Sequence, residues 1–208
     1  MYDGSGAEGR VTDVGINGDT IAAIGDLSKA VGKKEIDAKD LAVAPGFINM
    51  LSWAVETLII DGNSQSDIRQ GVTLEVFGEG GSMGPINEEM RKGMLDDMRR
   101  NPDYSYDIDW TTLDEYLQSL VKRGISPNVA SFIGATTVRI HELKYDNRLP
   151  NEEELARMQD LVRKAMEDGA LGVGSSLIYA PANYSSTEEL IALNKVAAEY
   201  GGMYITHM

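Results

Sequence analysis

From residue 41 onward, the sequence alternates between short apolar runs and longer amphipathic segments. The apolar runs predict strands at residues 41–51, 72–77, 128–133, 172–177 and 203–206. The segments between them repeat their apolar residues at helical spacing and predict helices at 65–70, 87–100, 112–123, 152–168 and 187–200. This alternation predicts a parallel sheet with helical crossovers. It is compatible both with an open doubly wound sheet and with part of an eight-stranded barrel.

The first 40 residues have a different pattern. Residues 10–26 contain two alternating strands that meet at Asn17-Gly18-Asp19, a strong hairpin signal. A third strand is predicted at residues 34–37. We therefore expect a small, incomplete β domain at residues 1–40, marginally stable by itself, and an α/β domain at residues 41–208.

Composition excludes several classes of protein. The net charge of −14 argues against a general nucleic-acid binder or a protein of anionic membrane surfaces, since both need a positive face. The absence of cysteine excludes disulfides and thiolate metal sites. No apolar stretch approaches the ~18 residues of a membrane span, and the first 25 residues do not resemble a signal peptide. We expect a cytoplasmic protein that has no nucleic-acid or membrane partner.

Four stretches at or after the predicted strands carry a family resemblance. Residues 41–53 read Leu-Ala-Val-Ala-Pro-Gly-Phe-Ile-Asn-Met-Leu-Ser-Trp, and residues 71–85 begin Gly-Val-Thr and become glycine-rich. Residues 172–190 begin Gly-Val-Gly-Ser-Ser-Leu-Ile-Tyr-Ala-Pro and end Thr-Glu-Glu-Leu. Residues 200–208 read Tyr-Gly-Gly-Met-Tyr-Ile-Thr-His-Met. They resemble the metal-dependent amidohydrolases, most closely the N-acyl-D-amino-acid deacylase (D-aminoacylase) branch. The resemblance extends from Tyr2 to Met208. It implies a partial (β/α)8 TIM-type barrel of about five strand–helix units, with a small N-terminal β-sandwich fragment, in a truncated chain.

The same resemblance implies a metal site. The family's first strand runs into a His-x-His pair, and the two histidine positions here are Leu51 and Trp53. The family's Gly-Asn-Cys-Gly loop supplies a cysteine ligand. Glu79 is the best ligand candidate in the matching loop, on the Asn position when counted from Gly78 and on the Cys position when counted back from Pro85. A carboxylate can replace a thiolate as a zinc ligand.

The last stretch adds a second ligand candidate. His207 matches the family's metal-binding histidine at the end of a strand. Together with Glu79 and with ligands beyond Met208, it would hold one zinc ion per site. The alternatives for these two residues are a solvated carboxylate in a glycine-rich turn and a neutral histidine hydrogen-bonded in the core.

Two further residues are candidates for substrate binding. Tyr179 matches a tyrosine of the family's pocket, in a segment that the family writes Gly-(Leu/Val)-Ser-(Ser/Thr)-Gly-Leu-x-Tyr; the alternative is an aromatic side chain packed at the barrel rim. Arg139 has the planar fork that suits a substrate carboxylate, but it could equally pair with a structural acid. His141 has the pattern of a solvated loop residue, and no histidine neighbours Ser175 or Ser176 to form a Ser-His nucleophile.

The implied reaction is hydrolysis of an N-acyl-D-amino acid, or of a related small amide, to a carboxylate and an amine. A bound metal would lower the pKa of the attacking water and polarise the carbonyl oxygen. The family's catalytic Asp follows a later strand, so the catalytic residue lies beyond Met208. The alternative is a non-catalytic barrel that binds a small ligand or another subunit, which the loss of the His-x-His pair favours. An oligomer is compatible with the sequence.

Overall fold

A computed structural model describes residues 1–207, which form two compact units, Met1–Gly46 and the chain from Phe47 onward. The first unit contains one antiparallel hairpin, β1 (Asp13–Asn17) and β2 (Thr20–Gly25), with Gly18 at a φ of +63° in its turn. The third strand predicted at residues 34–37 is wrong. That segment is exposed, with Ile36 77% accessible, so it has no apolar surface to pack against.

The second unit has the predicted alternation of strands and helices. Its elements are β3 (Phe47–Asn49), α1 (Thr57–Ile60), α2 (Gln65–Ile68), β4 (Val72–Phe77), α3 (Glu88–Arg100), α4 (Leu113–Arg123), β5 (Asn128–Ser131), β6 (Ile133–Gly134), α5 (Ala135–Leu143), α6 (Glu152–Glu167), β7 (Gly172–Ser176), α7 (Thr187–Glu199) and β8 (Met203–His207). The strand expected at 41–51 is reduced to β3. Residues 41–46 have no regular structure and belong to the first unit.

All the strands of the second unit pair in parallel, in chain order. One sheet is β3-β4-β5 and the other is β6-β7-β8. The two sheets follow each other closely, because Phe132 between β5 and β6 donates its N–H to Phe77 O at 2.8 Å. The parallel α/β class is thus confirmed. Because all these strands run in one direction, their carboxyl ends and the loops that follow lie on the same side.

The helices begin and end at recognisable signals. Thr112 and Glu115 form the capping box of α4, and Gly124 ends this helix at a φ of +83°. Ser186 caps α7, where its side chain accepts from Glu189 N. Helix α5 was not predicted. It begins directly after the short β6 with Gly134 at its N-cap and no side-chain cap.

Behind the strands, the helices bury a core rich in large side chains. Trp110 and Tyr116 meet edge to face at 5.3 Å, and the Tyr116 hydroxyl donates to Val55 O at 2.7 Å. The fully buried residues also include Phe77, Leu120, Ile133, Val138, Met158, Val162, Val173 and Leu193. No helix in residues 1–207 is long and apolar enough to cross a membrane.

Candidate active site

The glycine-rich loop after β4 is held tightly against β6 and α5. Gly80 O accepts from Thr136 N at 3.0 Å, and Ser82 N donates to the Thr137 hydroxyl at 2.8 Å. The same hydroxyl donates back to Ser82 O at 3.0 Å, and Ser82 Oγ accepts from Gly134 N at 3.0 Å. These bonds satisfy the backbone of an irregular segment. They therefore hold the neighbouring Glu79 in a defined position. This does not fit the alternative of a solvated carboxylate in a glycine-rich turn.

Glycines let this loop approach the strands more closely than any side chain would permit. A Cβ at Gly134 would lie 2.5 Å from Gly80 O, and a Cβ at Gly174 would overlap Gly78 O. Gly78 and Gly80 have φ values of +96° and +89°, which favour glycine for a second reason. The sequence signal for this packing was the glycine content of residues 71–85 together with Gly134 and Gly174.

The loop and strand β8 bring the two predicted metal ligands together. His207 is the last residue of β8, and its Nδ1 lies 3.5 Å from Glu79 Oε1. The Glu79 side chain is 10% exposed and that of His207 is 42% exposed. A separation of 3.5 Å exceeds an ordinary N–H···O hydrogen bond of about 2.9 Å. The two side chains thus face each other at the carboxyl ends of the strands, at a distance longer than an ordinary hydrogen bond.

Tyr179 lies beside this pair. Its ring stacks on the His207 ring, with the centroids 6.4 Å apart and the planes inclined by 28°. The side chain is 58% exposed, which does not fit the alternative of a packed rim aromatic. Its backbone N–H donates to Ser176 O, so the tyrosine is anchored one turn after the end of β7. Tyr179 thereby presents an aromatic face and a phenol hydroxyl next to His207.

Arg139 is the one predicted substrate ligand that the structure contradicts. It is 0% exposed, and its Nη1 donates to Glu189 Oε2 at 2.7 Å. Its Nη2 donates to Asp146 O and Arg148 O. The structural-acid alternative is therefore correct, because all these contacts lie inside the protein. The fork that suits a substrate carboxylate instead joins α5 to α7 and to the segment after α5.

The loop after β3 carries no metal donor at the expected positions. Leu51 and Trp53 are 45% and 62% exposed, and Ser52 between them is buried. Ser52 N donates to Val76 O, while Ser52 Oγ donates to the buried carboxylate of Glu75 at 2.6 Å. This carboxylate anchors the loop on β4 and was not predicted from the sequence. Both exposed side chains are apolar, at the two positions that the family resemblance assigns to histidines.

Within residues 1–207, no group of three or more His, Cys, Asp or Glu side chains is arranged to hold a metal ion. The pair Glu79 and His207 therefore supplies two donors only. The second histidine, His141, was expected to be a solvated loop residue, but it is on α5 with its side chain 21% exposed, and its Nδ1 lies 3.0 Å from Glu142 Oε1.

Comparisons with known proteins show which proteins the chain resembles. No family model matches the sequence. The chain is 35% identical over its whole length to a D-aminoacylase of Alcaligenes xylosoxydans xylosoxydans and 30% identical to an N-acyl-D-aspartate deacylase of the same organism. It spans 42% and 41% of those proteins.

Solved structures give the same result. A D-aminoacylase described with a binuclear metal centre, one-metal activation and second-metal attenuation matches 99% of this chain with a TM-score of 0.84 and 32% identity. An N-acyl-D-glutamate deacylase of Bordetella bronchiseptica, complexed with zinc and a phosphonate inhibitor, matches with a TM-score of 0.82 and 27% identity. The chain covers 43% of each.

The fold is similar to that of the amidohydrolases. Over its whole length, the chain is similar to part of the D-aminoacylases and N-acyl-D-amino-acid deacylases.

Proposed function

We propose that the complete gene product is a metal-dependent hydrolase of N-acyl-D-amino acids or of related small amides. The observation that carries the proposal is the meeting of Glu79 and His207 at 3.5 Å, at the carboxyl ends of parallel strands. Reacting groups in (β/α)8 barrels lie at this end of the strands. The relatives that are named for this activity match the chain over its whole length.

The fold of the complete protein is part of the proposal. The six parallel strands β3 to β8 make five consecutive segments, because only Phe132 separates β5 from β6. Five such segments, separated by helices, are what the first five units of a (β/α)8 barrel would contain. The hairpin of the first unit would then belong to a small β-sandwich completed by other residues. Localisation in the cytoplasm and assembly into an oligomer remain expectations from the sequence.

The pair fits one zinc ion as a partial ligand set. A carboxylate oxygen and an imidazole nitrogen both bind zinc at about 2.0–2.2 Å, so two such atoms on a tetrahedral ion are about 3.4 Å apart. The observed 3.5 Å between His207 Nδ1 and Glu79 Oε1 agrees with that spacing. Catalytic zinc needs about three protein ligands and one open position, so residues outside this chain would complete the site.

Each part of the site would have a separate role in the reaction. A bound metal supplies an activated water and polarises the amide carbonyl. Glu79 and His207 would hold it, and Tyr179 would offer its phenol to an oxygen of the substrate, since the ring is exposed beside His207. Water adds its oxygen to the amide carbon, the C–N bond breaks, and the amine leaves with a proton. By the family resemblance, the residue that moves this proton would be an Asp that follows a later strand.

The proposal is tested on the complete gene product by elemental analysis and by hydrolysis of N-acetyl-D- and N-acetyl-L-amino acids. We expect about one zinc per chain, hydrolysis of the D series, and loss of both metal and activity in His207→Ala and Glu79→Ala. Glu79→Cys should recover metal, because it introduces a thiolate ligand. The matched control is His141→Ala, which removes the other histidine beside a glutamate and should change neither quantity.

One observation favours a second function. Leu51 and Trp53 cannot bind a metal, so the site has fewer donors than the family pattern. A non-catalytic barrel that binds a small ligand or another subunit would tolerate this loss. A complete gene product without stoichiometric metal and without amide hydrolysis would support that alternative and reject the hydrolase.

A further inference from the structure

Ser176 is a buried hydroxyl next to the Glu79–His207 pair that has no hydrogen-bond partner within residues 1–207. Leaving a buried hydroxyl without a partner is unfavourable, and most buried polar atoms avoid that cost. Unpartnered groups of this kind are therefore informative where they adjoin a site. Ser176 is the last residue of β7 and pairs in register with His207, the last residue of β8.

The strand register shows which face Ser176 occupies. The neighbouring Ser175 is bonded through its hydroxyl to Tyr204 and Thr206, at 2.6 and 2.8 Å. Successive side chains of a strand point to opposite faces, and register partners on adjacent strands share a face. Ser176 is thus on the face opposite to Ser175, the same face as His207.

The loop that carries Glu79 passes directly over Ser176. A Cβ at Gly80 would lie only 2.5 Å from Ser176 Cβ. The serine is therefore enclosed by the glycine-rich loop on one side and is adjacent to the strand of His207 on the other. This explains its burial, with 4% of its surface exposed. It also places a hydroxyl donor between the two elements that hold the candidate metal ligands.

A hydroxyl that has no hydrogen-bond partner within residues 1–207, and that adjoins both elements carrying the candidate metal ligands, has its hydrogen-bonding capacity left for a bound ligand.

We propose that Ser176 donates a hydrogen bond to the amide carbonyl oxygen of the substrate as that oxygen becomes negatively charged. This inference rests on the proposed hydrolase function and deepens it by assigning an oxyanion donor. When water adds to the amide carbon, the π electrons move to the carbonyl oxygen, and they return when the C–N bond breaks. A hydrogen bond from a donor held rigidly at that oxygen stabilises the intermediate more than the neutral amide.

The experiment uses the complete gene product and compares Ser176→Ala and Ser176→Gly with the unmodified protein. Loss of one oxyanion donor lowers kcat about 10²–10³-fold, and we expect this with KM changed less than about threefold, because the bond strengthens only in the transition state. A phosphonate analogue of an N-acetyl-D-amino acid, which carries a tetrahedral anionic centre, should bind at least about 10-fold more weakly, as for a charged hydrogen bond. Bound zinc should be unchanged.

The matched control is Ser175→Ala, a serine on the same strand and equally buried, whose hydroxyl faces away from the site. It should lower thermal stability and leave kcat and phosphonate affinity near those of the unmodified protein. Unchanged kcat and phosphonate affinity in both Ser176 variants of an active protein would overturn the inference alone. Loss of zinc together with activity would overturn it too, because Ser176 would then support the metal site. An unmodified protein that hydrolyses no N-acyl amino acid would overturn the proposed function, and the inference with it.

Discussion

The buried ion pair between Arg139 and Glu189 gives a sharp test of how the structure assigns the arginine. The two side chains are 0% and 1% exposed, and their closest atoms are 2.7 Å apart. Arg139→Met removes the positive charge and leaves the Glu189 carboxylate buried, with the Ser185 hydroxyl as its nearest donor at 3.0 Å. It also removes the donor of two backbone carbonyls, Asp146 O and Arg148 O.

The magnitude follows from the burial. Removing one partner of a fully buried ion pair costs about 3–5 kcal/mol, because the other charge stays desolvated. We expect Arg139→Met to lower the free energy of unfolding by an amount in that range. Replacing both charges with apolar residues, in Arg139→Met with Glu189→Leu, should cost less than either single change, since no charge is then left buried.

The assay is urea unfolding of four forms of the complete gene product: the unmodified protein, the two single variants and the double variant. KM for the N-acetyl-D-amino acid is measured in parallel, at urea concentrations well below every unfolding transition. The control is Arg163→Met, which breaks the exposed pair with Glu199 and should have a far smaller effect on unfolding. Native stability in Arg139→Met, with KM raised 10-fold or more, would show that the arginine binds substrate and that the structural assignment is wrong.

Two other predictions concern the loop after β4 and the pH dependence of stability. Gly174→Ala should lower the zinc content, because the added methyl overlaps Gly78 O and displaces the loop that carries Glu79. The control is Gly93→Ala, where a Cβ meets nothing within 4 Å. This change should stabilise helix α3 by about 0.5–1 kcal/mol. The pKa of Glu154 is lowered to about 2 by its hydrogen bond from Arg148 and then by the backbone N–H of Asn151. Because the pKa is lower in the folded than in the unfolded state, this stabilisation is present above about pH 5 and is lost as the pH falls toward 2. Thermal scans should therefore show Glu154→Gln melting below the unmodified protein at pH 7 and equal to it near pH 2; a gap that stays constant with pH would contradict the assignment.

The long amphipathic segments were the most predictable part of the fold. Helix α6 (Glu152–Glu167) is observed within one residue of its prediction, because its apolar residues define one face over four turns. Short elements were missed or overextended. Helix α5 lacks a capping side chain, and the apolar run at 41–51 contains a strand of three residues only, since hydrophobicity alone does not show where the ladder of hydrogen bonds begins.

The candidate site was partly predictable for a similar reason. Strand ends are readable from the sequence, so His207 and Tyr179 were placed on the correct side of a parallel sheet. The partner of Arg139 was not predictable, because it comes from a residue 50 positions away on another helix. The buried Glu75 was missed because a carboxylate in an apolar strand gives no periodic signal.

The sequence by itself determined the parallel α/β class, the family resemblance and the identity of the metal-competent side chains. These depend on local pattern and on residue type, which do not change on folding. Tertiary structure alone decided that Glu79 meets His207, that Arg139 is internal, and that Ser176 has no hydrogen-bond partner among residues 1–207. Such contacts depend on the packing of a glycine-rich loop against two strands, where a single methyl group would change the distance, and no local pattern in the chain encodes distances of that precision.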